Sequence, residues 1–172
     1  TFLTGNPWIG VIAAIAAGMV MALLFGFLTL TLLSNQVATG LALTLLGLGL
    51  SGLIGEKLVG QAGIKLPLVA GIDPLMPFSL VLTAAVSWFL FRTRAGLVVR
   101  AVGNSHASAH ALGYPVVRVR YLCVLFGGAC AGLAGGYLSL VYTPQWVENM
   151  TAGRGWIALA LVVFASWIPL RV

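Results

Sequence analysis

Charged side chains are scarce in this sequence. Asp, Glu, Lys and Arg make up 7% of its 172 residues, and none of them lies between Thr1 and Gly55. Soluble domains carry about 25% charged residues, so the composition excludes an ordinary soluble protein. With 60% hydrophobic residues and a mean hydropathy of +1.08, the chain is predicted to be an all-α integral membrane protein, because helices satisfy their own backbone groups inside lipid.

Cysteine is also rare, and the two cysteines do not predict a disulfide. Cys123 and Cys130 lie seven residues apart on one apolar segment, about 10 Å along a helix. That distance is too long for an S–S bond. We interpret both as small packing residues.

Histidines and acids are too few to predict a metal or catalytic centre. His106 and His110 are spaced to share one face of a helix, but zinc needs three or four ligands and residues 92–120 contain no Cys, Asp or Glu. No acid is near enough in sequence to orient either histidine as a base. The sequence therefore predicts no catalytic residue, no bound metal and no cofactor.

Five apolar stretches are predicted to cross the membrane: 8–33, 37–54, 78–91, 121–142 and 155–170. The criterion is length, because a helix needs roughly 20 residues to span the hydrocarbon core. The chain begins without methionine and shows no leader-like basic region or cleavage site. We expect an internal fragment of one helical membrane domain, covering 1–172.

Small residues mark three of these stretches. The first carries one every four residues: Ala14, Gly18, Ala22 and Gly26. The fourth carries two overlapping GxxxG steps: Gly128, Gly132 and Gly136. Such stripes let helices approach closely. The second stretch holds four glycines, so we expect a broken helix there, which membranes tolerate where the backbone lines a cavity.

Arginine is concentrated between the third and fourth stretches. Five of the nine basic residues lie in 92–120, without an acid, so this connection is predicted to be cytoplasmic. Alternation then puts 34–36 on the same side and 55–77 and 143–154 outside, with all three acids outside: Glu56, Asp73 and Glu148. Nucleic-acid binding is not predicted, because the arginines lack interleaved aromatic residues and a recognisable module.

A short helix is predicted inside the basic connection. Asn104 or Ser105 can cap its start, and Gly113 followed by Pro115 marks its end, which gives a helix over 105–112 of about 12 Å. A helix of this length is marginal in water, so the membrane domain or a partner must hold it. Its small side chains suit docking into a groove of a cytoplasmic partner.

Three stretches of the sequence carry a resemblance to a known family. They read GLVVRAVGNSHASAHALGYPVVRVR from Gly96, NQVATGLALTLLGLGL from Asn35 and MTAGRGWIALALVVFASWIP from Met150. Together they resemble permease subunits of bacterial ABC importers, in the branch that takes up simple sugars, nucleosides and branched-chain amino acids. The form MTAGRGWIALA is more similar to the nucleoside or simple-sugar group.

The resemblance implies a multi-pass permease subunit of the bacterial inner membrane, surrounded by lipid. Its implied partners are a cytoplasmic ABC ATPase, a second permease subunit and an extracytoplasmic substrate-binding protein, with ATP hydrolysed by the ATPase. Seven residues fall on the coupling element that the ATPase binds: Arg100, Gly103, Asn104, Ala107, Ala109, His110 and Gly113. Four fall near the translocation pathway: Asn35, Gln36, Thr39 and Gly40. The polar residues among these four either touch solute or cap a helix at the membrane surface.

The sequence also departs from the family pattern. Ser105, His106 and His110 stand in the coupling element, where relatives commonly carry acidic residues, and this difference is expected to alter partner specificity. Thr44 and Ala165 replace a common asparagine and glycine.

Other functions remain open at this point. One is an amino-acid permease of the same architecture. Another is a self-sufficient channel or secondary transporter, which would be expected to carry intramembrane ionisable residues for coupling; the predicted spans hold no Asp, Glu, Lys, Arg or His. A membrane enzyme would need a reactive cluster, which the sequence does not offer.

Overall fold

The computed structural model describes residues 6–56, 73–143, 145–147, 150–151 and 153–169. Within these ranges the chain forms helices and turns and no β-strand, so the predicted all-α class is confirmed. The helices are α1 (Pro7–Gly26), α2 (Gln36–Gly55), α3 (Leu75–Arg92), α4 (Arg94–Asn104), α5 (His106–Ala111), α6 (Val116–Tyr137) and α7 (Arg154–Phe164). Two π-helical segments, Phe27–Thr31 and Leu138–Tyr142, continue α1 and α6.

Four helices in the described residues are long and apolar enough to cross a membrane. They correspond to the first four predicted stretches, although α3 begins three residues earlier than 78 and α6 five residues earlier than 121. The fifth stretch is represented by α7, whose 11 residues span about 16 Å. The helix ends there because Ser166 and Trp167 adopt left-handed backbone angles, with φ of 54° and 60°.

The prediction of a broken helix in the second stretch was wrong. Residues 36–55 form one uninterrupted α-helix despite their glycines. Glycine weakens helices mainly because an unfolded alternative is available in water. Inside lipid, an unpaired backbone group has no solvent to bond, so the fully hydrogen-bonded helix is retained.

The chain forms two compact units, 1–67 with 121–150 and 68–120 with 151–172. In the first unit the two small-residue stripes pack against each other. A Cβ on Gly18 would fall on the Gly128 carbonyl oxygen and within 2.8 Å of the Gly132 Cα, and a Cβ on Gly136 would lie 3.0 Å from that of Ala14. The order of these contacts makes α1 and α6 antiparallel and brings their backbones together.

Different contacts hold the helices together at the two ends of this first unit. At one end the hydroxyls of Thr31 and Tyr121 are hydrogen-bonded. At the other, the Trp146 ring covers Gly55, and its Nε1 donates to the Ser51 hydroxyl at 3.4 Å. The connection between α1 and α2 therefore lies at the same end as Tyr121, as the predicted alternation requires.

In the second unit, α4 turns back sharply after α3. The Thr93 hydroxyl donates to the Phe89 carbonyl at 2.7 Å and accepts from the Gly96 amide at 3.0 Å. A Cβ on Gly96 would fall on the Phe89 carbonyl oxygen and 2.7 Å from the Leu90 Cα. Glycine is therefore needed at position 96 for this corner to close.

The close approach of α1 and α6 predicts a large effect of one methyl group. In Gly132→Ala the new Cβ would meet the Ala14 backbone, including its carbonyl carbon at 3.0 Å, and backbone atoms cannot move aside cheaply. We expect the free energy of unfolding to fall by about 1–3 kcal/mol, measured by denaturant titration of the purified protein in detergent.

Gly135→Ala is the matched control for this measurement. Gly135 lies on the same helix, but apart from its chain neighbours and its own helix backbone, no heavy atom of the described residues lies within 4 Å of its added Cβ. Stability should be unchanged or slightly higher, because alanine favours the helix. Equal stability of the two variants would contradict the packing of α1 against α6.

Candidate functional site

A small valine-rich core holds the short helix α5 in place. Val102 from α4, Ala109 from α5 and Val116 from α6 are buried against one another, and Val98 and Val119 pack around them. Ala109 is only 2% exposed. We call residues 98–119 the short-helix unit. Its core provides the support that an isolated six-residue helix lacks.

Capping fixes both ends of α5. Ser105 ends α4 and begins α5: its hydroxyl accepts from the Ser108 amide at 3.3 Å and lies 2.9 Å from the Ser108 hydroxyl. At the other end Gly113 has a φ of +83°, which allows the Tyr114 amide to bond the Ala109 carbonyl at 3.2 Å. The predicted helix over 105–112 is thus observed with Ser105 as its cap, whereas Asn104 belongs to α4.

The structure separates the predicted coupling residues into two groups. Ala109 faces the core of the short-helix unit, so it anchors α5 and leaves no surface for a partner. The other six are exposed: Arg100, Gly103, Asn104, Ala107, His110 and Gly113. Arg100 also lies over the Phe91 ring, 5.1 Å from its centroid, a cation–π contact. Exposed Leu112 joins this surface at the end of α5.

A depression of about 360 Å³ adjoins the end of α5, and the sequence did not predict it. Its lining residues are His110, Gly113, Tyr114, Pro115, Val116, Val117 and Arg118. The lining is mostly apolar, with His110 and Arg118 as its nitrogen-bearing side chains. The turn at Gly113 followed by Pro115 was the available sequence signal, since it brings the residues on either side of the turn close together.

No acid balances the basic residues of this unit. Residues 98–119 hold Arg100 and Arg118 together with both histidines, and no Asp or Glu. In the described part of the chain, no group of three or more His, Cys, Asp and Glu side chains could hold a metal ion. His106 and His110 are exposed side chains on the surface of α5.

The four predicted pathway residues lie where α1 passes into α2. The Asn35 side chain caps α2, accepting from the amides of Val37 at 2.9 Å and Ala38 at 3.2 Å. Gln36 is exposed at the first position of that helix. A Cβ added to Gly40 would lie 4.0 Å from the Phe25 ring, an ordinary van der Waals distance.

Thr39 is the buried member of this group. Its hydroxyl lies 2.9 Å from the Ser34 hydroxyl, which also reaches the Leu28 carbonyl at 2.7 Å. Leu28 belongs to the π-helical segment, where the Thr29 hydroxyl bonds the Phe25 carbonyl at 2.7 Å. Side-chain hydroxyls therefore tie the end of α1 to the start of α2.

The π-helical segments were not anticipated from the sequence. A π-helical turn shifts the backbone hydrogen-bond register without changing which residues are apolar, so hydrophobic periodicity does not reveal it. Such turns occur frequently at functional sites. Here one adjoins the predicted pathway residues.

Comparisons with known proteins place the chain in a family. The family model described as "Branched-chain amino acid transport system / permease component" matches residues 1–172. No solved structure matches the chain significantly.

Three relatives match nearly the whole chain. The "Putative glucose ABC transporter permease protein TsgC13" of Haloferax volcanii is 42% identical over 100% of this chain. The guanosine ABC transporter permease protein NupQ of Bacillus subtilis is 30% identical over 95% of it. The nucleoside ABC transporter permease protein NupC of Lactococcus lactis is 26% identical over 96% of it.

In each of these three cases the match spans 58% of the relative. The chain thus covers a little over half the length of the relatives that it matches. The resemblance found in the sequence is confirmed: the chain belongs to the family of permease components of branched-chain amino acid transport systems, and it is a multi-pass membrane protein.

Proposed function

We propose that this chain forms part of the translocation pathway of an ATP-driven ABC importer for a nucleoside or simple sugar. The observation that carries the proposal is the buried Val102–Ala109–Val116 core, which fixes α5 and leaves its other residues exposed. A helix held in this way can pass movement of a bound partner to α4 and α6, which pack on the same core.

The proposed partners are a cytoplasmic ATPase at the short-helix unit, a second permease subunit and an extracytoplasmic substrate-binding protein. The chain itself performs no chemistry in this proposal, and ATP is hydrolysed by the ATPase. The arginine-rich connection lies on the cytoplasmic side of a bacterial inner membrane. Lipid covers the apolar side chains that are exposed on the spanning helices.

The proposed mechanism is alternating access. Closure of the ATPase dimer moves α5, and the glycine-striped helices α1 and α6 repack between two arrangements. Helices that meet backbone to backbone have few side chains to rearrange when they slide. The contact between the Ser34 and Thr39 hydroxyls lies at the end of α1, beside the helices that are proposed to repack.

The names of the relatives support the proposed substrate class, because those proteins are named as glucose, guanosine and nucleoside transporter permeases. The family description instead names branched-chain amino acids, which supports an amino-acid permease of the same architecture as the second candidate.

Substrate-stimulated ATP hydrolysis distinguishes these two candidates. In vesicles that contain the full-length permease, its ATPase and its binding protein, we expect a nucleoside or a hexose to stimulate ATP hydrolysis. Leucine, isoleucine and valine should have no effect at the same concentration. Stimulation by the amino acids alone would reverse the assignment.

An exposed residue of α5 tests the coupling role. Ala107→Arg adds a long side chain whose bulk would keep a partner groove from closing on α5, while Ala107 itself is exposed and outside the buried core. We expect ATP-driven transport to fall at least about tenfold with the unfolding midpoint unchanged, measured in proteoliposomes with the cognate ATPase.

Ala95→Arg provides the matched control, since Ala95 is an exposed alanine of α4 outside the short-helix unit. Its transport should equal that of the unchanged protein. Full transport by Ala107→Arg would contradict the coupling role of α5.

A further inference from the structure

The charged side chains on the exposed surface of the short-helix unit are all basic. Arg100 and Arg118 carry guanidinium groups, His106 and His110 add two imidazoles, and residues 92–120 contain no carboxylate. The depression at the end of α5 lies within this surface, with His110 and Arg118 in its lining. The basic side chains therefore have no acidic partner within the unit itself.

We propose that this surface binds an acidic groove of the ATPase, and that a carboxylate-bearing segment of the ATPase enters the depression beside His110 and Arg118. The inference rests on the proposed function, because it names the chemistry of the surface that meets α5. It concerns this chain in particular, since histidines stand in its coupling element where the family resemblance implies acids.

The lining of the depression fits such a segment. Pro115, Val116 and Val117 offer apolar contact for the aliphatic stem of a glutamate, as long charged side chains commonly bury their stems. The Arg118 guanidinium can donate two parallel hydrogen bonds to a carboxylate, an arrangement that gives both strength and orientation. A volume of about 360 Å³ accommodates more than one side chain, so a segment is expected to enter.

An apolar or basic groove would fit this surface poorly. Burying Arg118 without a carboxylate would leave a charge desolvated and unpaired. Like charges placed opposite each other across an interface are strongly unfavourable. Acidic residues on the ATPase avoid both penalties.

Charge reversal tests the inference directly. The full-length permease is placed in nanodiscs of neutral lipid, so that headgroup charge makes no contribution, and its association with the cognate ATPase is measured at 50 and 300 mM NaCl. The test variant combines His110→Glu with Arg118→Glu, and His110→Gln with Arg118→Gln removes the charge without reversing it. The control is Arg94→Glu, which like Arg118→Glu puts an acid in the first turn of a helix, where acids are tolerated.

We expect the double glutamate variant to bind at least about tenfold more weakly at 50 mM NaCl, and the double glutamine variant to lie between it and the unchanged protein. Association of the unchanged protein should weaken at 300 mM NaCl, because exposed charge pairs are screened. The affinity of Arg94→Glu should lie within about twofold of that of the unchanged protein at the same salt concentration, and all variants should keep the same unfolding midpoint.

The two proposals fail in different ways. If the double glutamate variant binds normally while Ala107→Arg does not, the ATPase docks on α5 without an acidic groove, and the inference is overturned alone. If neither variant weakens binding, the coupling role of α5 is wrong as well.

Discussion

The packing of Ala109 between Val102 and Val116 is the contact on which the functional account depends. A helix of six residues is unstable by itself, and capping at Ser105 and Gly113 defines its ends without fixing its position. The buried core fixes that position relative to α4 and the start of α6. Without this core, a movement of α5 would be lost in a flexible loop and would not reach the membrane helices.

The spanning helices show a second use of small side chains. Between α1 and α6, the glycines Gly18, Gly128 and Gly132 bring two backbones into contact. Little apolar driving force exists between helices in lipid, so close packing has to supply the attraction. Alanine packs the short helix against valines of α4 and α6, and glycine packs α1 against α6. The contact between α1 and α6 leaves no room for a methyl group on Gly18 or Gly132.

Sequence reasoning succeeded where the determining interactions are local. The ends of α5 were predicted to within one residue because the Ser105 cap and the Gly113 turn are encoded beside the helix. The small-residue stripes predicted close helix packing without naming the partner, and the structure pairs α1 with α6. The unbroken α2 was missed, because glycine propensity measured in water does not transfer to lipid. The burial of Ala109 depends on contacts between three helices, which no local pattern specifies. The depression at the end of α5 follows the turn at Gly113, but its lining depends on how α5 meets the start of α6.

Photo-cross-linking from α5 tests the central claim most directly. Cys123 and Cys130 are replaced by alanine, and a thiol-reactive photo-cross-linker is attached to a single cysteine at position 107 or, as the control, at position 95. The account predicts that the full-length permease, assembled with its ATPase in inverted vesicles, forms an adduct with the ATPase from position 107 and none from position 95. Two results together would contradict the account: no adduct forms from position 107, and a cysteine at position 107 reacts only with reagents added to the outside of intact cells.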